Sequence, residues 1–230
     1  MIKLLAAVLL TAYTTTALAG VSIGGTRFIY SEKARALTVL VMNSSTETWL
    51  INTHITSGGT WNGVRPSPQP APFIIAPPLF ALKGKKQGTL RILKTTQTLR
   101  QDRETLFTLS IAAIPAGNAT GNSVQVAPRS LLKLFYRPTG LQGKPQDASK
   151  QLRWRQVDRK VEVNNPTPYY VTLVNLNVNG LIVRDPGMVA PFSTRQLAEC
   201  DPASRCILSW QSINDYGRVM PKTTVELSDK

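Results

Sequence analysis

The chain has one histidine, His54, two cysteines, Cys200 and Cys206, and 13 acids against 27 lysines and arginines. Each scarcity narrows the chemistry. One histidine in a strand-like run leaves no credible nucleophile–histidine–acid set. One histidine and two cysteines are too few ligands for a structural zinc site. The low acid count leaves only a thin basis for a glycosidase-type carboxylate pair, and therefore for a periplasmic hydrolase on a β scaffold. There is no phosphate-binding glycine loop, no dinucleotide fingerprint and no metal-ligand spacing. Helical periodicity is scarce. No apolar run approaches the length needed to cross a bilayer. The composition leans towards binding rather than catalysis, with no cofactor and no metal implied.

What is present begins with an export signal. Lys3 supplies a positive start, residues 4–10 an apolar stretch, and Ala17-Leu18-Ala19 a small-x-small cleavage site, so residues 1–19 read as a signal peptide and Gly20 as the mature start. The formal charge is +14. The basic residues are scattered, apart from Lys83-Gly84-Lys85-Lys86, and no nucleic-acid-binding signature accompanies them. The charge reads as solubility and attraction for anionic partners. In an exported chain, Cys200 and Cys206, with Asp-Pro-Ala-Ser-Arg between them, read as a disulfide closing a hairpin loop. A redox role lacks the Cys-x-x-Cys spacing.

Short runs of Val, Leu, Ile and Phe punctuated by Pro, Gly and Thr predict an all-β protein. Strands are expected at residues 26–30, at 37–42 (buried on both faces), at 48–55, at 89–93 and from 106 to Pro115. Two prolines in residues 73–80 bar a central strand there and suggest an edge, or a strand that changes sheets. Residues 138–150 lack apolar periodicity and read as a linker. A second strand series follows at 152–163, 169–178, 181–184, 192–197, 206–210 and 223–227. The pattern predicts two β-sandwiches, at residues 20–139 and 140–230.

Residues 123–138, Ser-Val-Gln-Val-Ala-Pro-Arg-Ser-Leu-Leu-Lys-Leu-Phe-Tyr-Arg-Pro, join an alternating start to an apolar run broken by Lys133. A buried lysine is costly without a partner. Lys133 therefore either reaches solvent along its stem or waits in a cleft for an anion.

Several motifs then occur in a recognisable order: Thr26-Arg27-Phe28-Ile29-Tyr30, Pro77-Pro78-Leu79-Phe80, Gln101-Asp102-Arg103-Glu104, Lys133-Leu134-Phe135-Tyr136-Arg137-Pro138, Asn165-Pro166-Thr167-Pro168-Tyr169-Tyr170 and Ile213-Asn214-Asp215-Tyr216-Gly217. The ordered set resembles the periplasmic pilus chaperones of the PapD-like family, which serve the chaperone–usher pathway. The resemblance covers nearly the whole mature chain. It implies two immunoglobulin-like domains in a boomerang arrangement, and a periplasmic chaperone that binds, folds and caps pilus subunits by donating a strand before passing them to an outer-membrane usher. By the same resemblance, Arg27 and Lys133 anchor the subunit's C-terminal carboxylate. Val124, Val126 and Pro128 form the donor row, with proline where a bulky apolar residue is usual. Glu104, Arg137 and Asp215 form an interdomain salt bridge, and Cys200 and Cys206 a second-domain disulfide. The short 116–122 loop and the missing extra cysteine pair favour the short-loop branch. A self-capping dimer is a further implied partner state. The rival reading, a pilus subunit or adhesin, calls for one incomplete sandwich after an alternating N-terminal extension, which this chain lacks.

Overall fold

The computed structural model describes residues 20–59, 61–64, 67, 69–117, 125–200 and 205–227. The signal segment, the tip of the 116–122 loop and Val124 lie outside them. The first sandwich packs two sheets. One has the order β1 (Val21–Ile23), β3 (Leu37–Asn43), β7 (Gln87–Lys94), β5 (Phe73–Ala76). The other has the order β2 (Arg27–Ser31), β9 (Arg129–Arg137), β8 (Thr105–Pro115), β4 (Trp49–Ser57), β6 (Leu79–Leu82). Val39, Val41, Leu90 and Ile92 from the first sheet meet Ile51, Phe107, Leu109 and Leu134 from the second in one buried cluster. Each such side chain contributes about 1.5–3 kcal/mol on burial.

The second sandwich has a three-stranded sheet, β10 (Arg153–Val157), β11 (Lys160–Asn165) and β15 (Ser193–Glu199). It faces a sheet ordered β13 (Leu181–Ile182), β12 (Val171–Val178), β16 (Cys206–Ile213), β17 (Thr223–Leu227), with β14 (Met188–Val189) also on β12. Its own core holds Val161, Val163, Leu173, Leu176 and Leu208, with Trp154 against Trp210. The hairpin from β12 to β13 turns on Asn179 and Gly180, both at positive φ, the backbone that a two-residue turn of this hand requires.

Several expectations change. β3 is buried on one face only: Leu40 and Met42 point outward because the sheet's second face meets solvent. The proline-interrupted stretch does change sheets, β5 pairing with β7 and β6 with β4. The 152–163 run is a hairpin, β10 and β11, turning at Asp158 with φ 56°. The expected linker contains a 3-10 helix, Pro145–Gln151, whose Ala148 is buried in the second core. Cys200 and Cys206 are bonded. They follow β15 and open β16, which lie in different sheets, so the bridge ties the two layers and does not close a hairpin.

One device occurs in both sandwiches. The buried Asn43 amide donates to Glu47 O and Leu82 O, while its Oδ1 accepts the N–H and hydroxyl of Ser45. Asn165 does the same with Tyr169 O, Val189 O and Thr167. Each side chain replaces backbone partners that a turn cannot supply.

Candidate functional site

β2 runs parallel to β9, and Arg27 stands in register with Lys133. In-register neighbours on adjacent strands share a face, so the two cations stand side by side where the sandwiches meet. Arg27 reaches across the junction. Its Nη1 donates to Ile213 O (2.9 Å) and Asn214 O (3.1 Å), and its Nη2 donates to Thr172 Oγ1 (2.9 Å). Burial lowers its pKa, with Asp215 and Glu104 opposing. Lys133 is half-buried and, among the described residues, its ammonium has no hydrogen bond or ion pair. Its Nζ lies 4.3 Å from the centre of the Trp61 ring. Loss of hydration pulls the Lys133 ammonium below its ordinary value, and the Arg27 charge adds to this while Asp185 opposes it. Two like charges thus stand side by side with their hydration reduced, and no described carboxylate pairs with the Lys133 ammonium.

β9 leads to this pair along an open edge. β2 covers β9 only from Lys133 to Arg137. On residues 129–132, β8 takes one edge, and no described strand takes the other. Leu132, Leu134 and Tyr136 point into the first core. The same alternation carried backwards reaches Pro128 and Val126, both exposed, Val126 at 71%.

The donor row departs from expectation in one respect. β9 begins at Arg129 rather than at the valines. Ala113 N–H still donates to Pro128 O (3.0 Å), at the next position of the β8–β9 register. Proline has no N–H to return, and the ladder ends there. In an antiparallel pair, a residue's N–H and C=O face the same side. The group missing at Pro128 is therefore lost from the β8 side, and the open edge keeps its donors. Val124 lies outside the described residues.

Behind the pair, β9 closes on Arg137. Its Nε donates to Glu104 Oε1 (2.7 Å), and Nη1 and Nη2 donate to the two Asp215 oxygens (2.7 and 2.9 Å). Glu104 is buried, its Oε2 accepts the Tyr170 N–H (2.8 Å), and its own N–H donates to Pro168 O (2.9 Å). Burial alone would pull the Arg137 guanidinium down, but the Asp215 and Glu104 contacts outweigh it and hold it above its ordinary value. Burial pushes Glu104 up, against the Arg137 charge and the Tyr170 N–H. The three side chains join the first sandwich to two turns of the second.

Sequence reasoning missed Thr172, which orients Arg27; Asn165, which shapes the turn that docks on Glu104, lay in one of the ordered motifs but with no role attached. It also missed Trp61 and Asn62. Asn62 joins the sandwiches by its Nδ2 to Asp185 O (2.7 Å), by the Met188 N–H to its O (2.8 Å) and by Arg195 Nη2 to its Oδ1 (2.9 Å). Only the unusual Gly-Gly-Thr-Trp-Asn-Gly run in a loop could have drawn the eye.

The family models match this geometry along the chain. Residues 20–142 match the model for the pili and flagellar-assembly chaperone, PapD N-terminal domain. Residues 147–224 match the pili assembly chaperone PapD, C-terminal domain. The chain belongs to the PapD family of pilus-assembly chaperones. Its relatives include the fimbrial chaperone YcbF of Escherichia coli K12, 46% identical over 89% of this chain and 87% of the relative. The chaperone protein FimC of the same strain is 40% identical over 90% and 84%. Among solved structures, the Salmonella enterica SafA pilin–SafB chaperone complex contains a chain 31% identical, with a TM-score of 0.79 over 93% of this chain and 99% of that one. The E. coli chaperone DraB gives 31% and 0.76, over 91% and 97%. No described helix is long and apolar enough to cross a membrane.

Proposed function

We propose that this chain, cleaved after Ala19, acts in the periplasm as the chaperone of a pilus system, with a boundary near residue 139 between a strand-donating domain and a second supporting domain. The observation that carries this reading is the open edge of β9 running into the Arg27–Lys133 pair. An unpaired edge offers backbone donors and acceptors to a sandwich that lacks a strand. The row extending from the core offers side chains to the gap in that sandwich. The two cations hold its terminal carboxylate by charge-assisted hydrogen bonds. Because the anchor sits at the far end of the open edge, the subunit's last strand runs in the same direction as β9. Val126 and Pro128 face the subunit, and Val124, the remaining residue of the expected donor row, lies outside the described residues. The Arg137 network sets how the domains meet. Delivery to an outer-membrane usher follows from the family, and the same edge suits a second copy of the chain when no subunit is held.

The test is co-expression in a bacterial periplasm with a pilus subunit encoded beside this chain, followed by affinity pull-down. Wild type should yield a soluble one-to-one complex, and Lys133→Ala and Arg27→Ala should each lose it. Equal recovery with all three would refute the anchor and leave the edge alone to hold the subunit.

A further inference from the structure

The β4–β5 loop carries the aromatic ring that Lys133 touches, and it is built into the domain junction. Trp61 packs with Val64 and Tyr170 against the buried Leu106, Phe135 and Met188, a cluster drawn from both sandwiches. Gly59 allows this seat: a Cβ there would lie 2.4 Å from Trp61 Cδ1. Gly187 lets the second sandwich close on the loop, because its φ is 69° and a Cβ would lie 2.1 Å from Asn62 O. The Asn62 bonds to Asp185, Met188 and Arg195 then hold the loop from the far side. The Trp61 ring is thus fixed by both domains.

Its hydrogen-bonding group does not explain its presence. Nε1 is buried with no acceptor among the described residues, so a tryptophan here carries a polar cost. What it offers is its face, and the Lys133 ammonium lies over that face at 4.3 Å. A lysine stem is long and rotatable. The neighbouring Arg27 repels the ammonium, whereas the electron-rich ring attracts it. We propose that Trp61 is a positioning residue of the anchor, a rigid aromatic rest that holds the Lys133 ammonium apart from Arg27 and presents it to a C-terminal carboxylate. This rests on the reading of Lys133 as the carboxylate anchor.

The experiment separates the two ideas. The probe is a synthetic extended peptide of alternating valine and threonine ending in leucine, prepared as the free acid and as the amide. Its binding is measured to the mature chain and to Trp61→Leu, Trp61→Phe and Lys133→Ala. Trp61→Leu keeps an apolar side chain but no ring face, and should lose roughly three- to thirtyfold in affinity for the acid with the amide unaffected, the range of a cation–π contact. Trp61→Phe should stay close to wild type. An unchanged preference for the acid in Trp61→Leu, or an equal loss for acid and amide, would overturn the proposal, since a purely structural residue would weaken both forms alike. If wild type does not prefer the acid, or Lys133→Ala keeps that preference, the anchor reading itself falls and Trp61 falls with it. A second measurement needs no variant. In the wild-type chain, the ring current should move the Lys133 ε-methylene proton resonances upfield, and resonances at the ordinary lysine position would overturn the proposal.

Discussion

As the proposed carboxylate anchor, Lys133 has to carry charge in a place that discourages it. Dehydration and the Arg27 charge both lower its proton affinity from the ordinary value of 10.5. In the proposed anchor the charged form binds a carboxylate, and it is populated below the pKa. A lowered pKa therefore brings the loss of binding to a lower pH than an ordinary lysine would show. The sign for folding is opposite: with the folded pKa depressed, protonation costs stability at neutral pH, and that cost fades as pH rises through the folded value. Carboxylate affinity followed against pH should fall before 10.5, and Lys133→Arg should flatten the fall because guanidinium stays charged. A wild-type profile that turns only at or above 10.5 would contradict this. At this scale the sequence was informative where a residue sits in a motif. An apolar run broken by one lysine posed the question, and the resemblance picked out Arg27 as its neighbour. Thr172 and Trp61 act through contacts made across more than a hundred residues or from inside a loop, and no local pattern announces them.

At the scale of elements, the end of β9 is set by one missing hydrogen. Pro128 holds its place in the register, since its carbonyl accepts from Ala113, but it cannot reciprocate. Pro128→Leu should restore that bond and extend β9, a gain of about 1 kcal/mol. In Pro128→Leu, the new amide at position 128 should exchange more slowly than the same amide in an unstructured peptide. If that amide exchanges as freely as in an unstructured peptide, β9 stops at Arg129 for another reason. Most strands were legible from alternation. The errors have a common physical source: periodicity reports which side chains are apolar, and says nothing of what covers them. Leu40 and Met42 looked buried because they are apolar, yet β3 faces solvent on that side. The hairpin turning at Asp158 looked like one strand because both arms alternate, and a polar turn residue at positive φ is not visible as a break. The cysteine pair looked like a hairpin staple because sequence separation cannot tell a hairpin from a crossing between layers.

The whole molecule depends on how its two sandwiches are joined, and Arg137 is the principal polar joint. Its guanidinium sits between Glu104, whose side chain is 2% exposed, and Asp215, at 31%. Arg137→Ala would leave the Glu104 carboxylate buried without its cation, at a cost of about 3–5 kcal/mol. Asp215→Asn, at a wetter position, should cost much less. Chemical denaturation gives both numbers, and small-angle scattering should show a wider spread of domain arrangements in Arg137→Ala. Equal, small losses for both would mean that the apolar cluster around Met188 and Phe135, with the Arg27 and Asn62 hydrogen bonds, joins the domains without Arg137. Two sandwiches and the family were legible from the order of the motifs. The Glu104–Arg137–Asp215 joint was legible only through the resemblance, because its three charged residues lie far apart in the chain. One consequence of the open β9 edge concerns length. With the proposed anchor holding the terminal carboxylate and side chains alternating along a strand, a bound subunit would be read by counting back from its last residue. One residue too many turns its row to the wrong face. Two restore the face but shift every contact by about 7 Å. On that reading the edge is a ruler with its zero at Lys133, and a subunit of the right composition but the wrong length would be turned away.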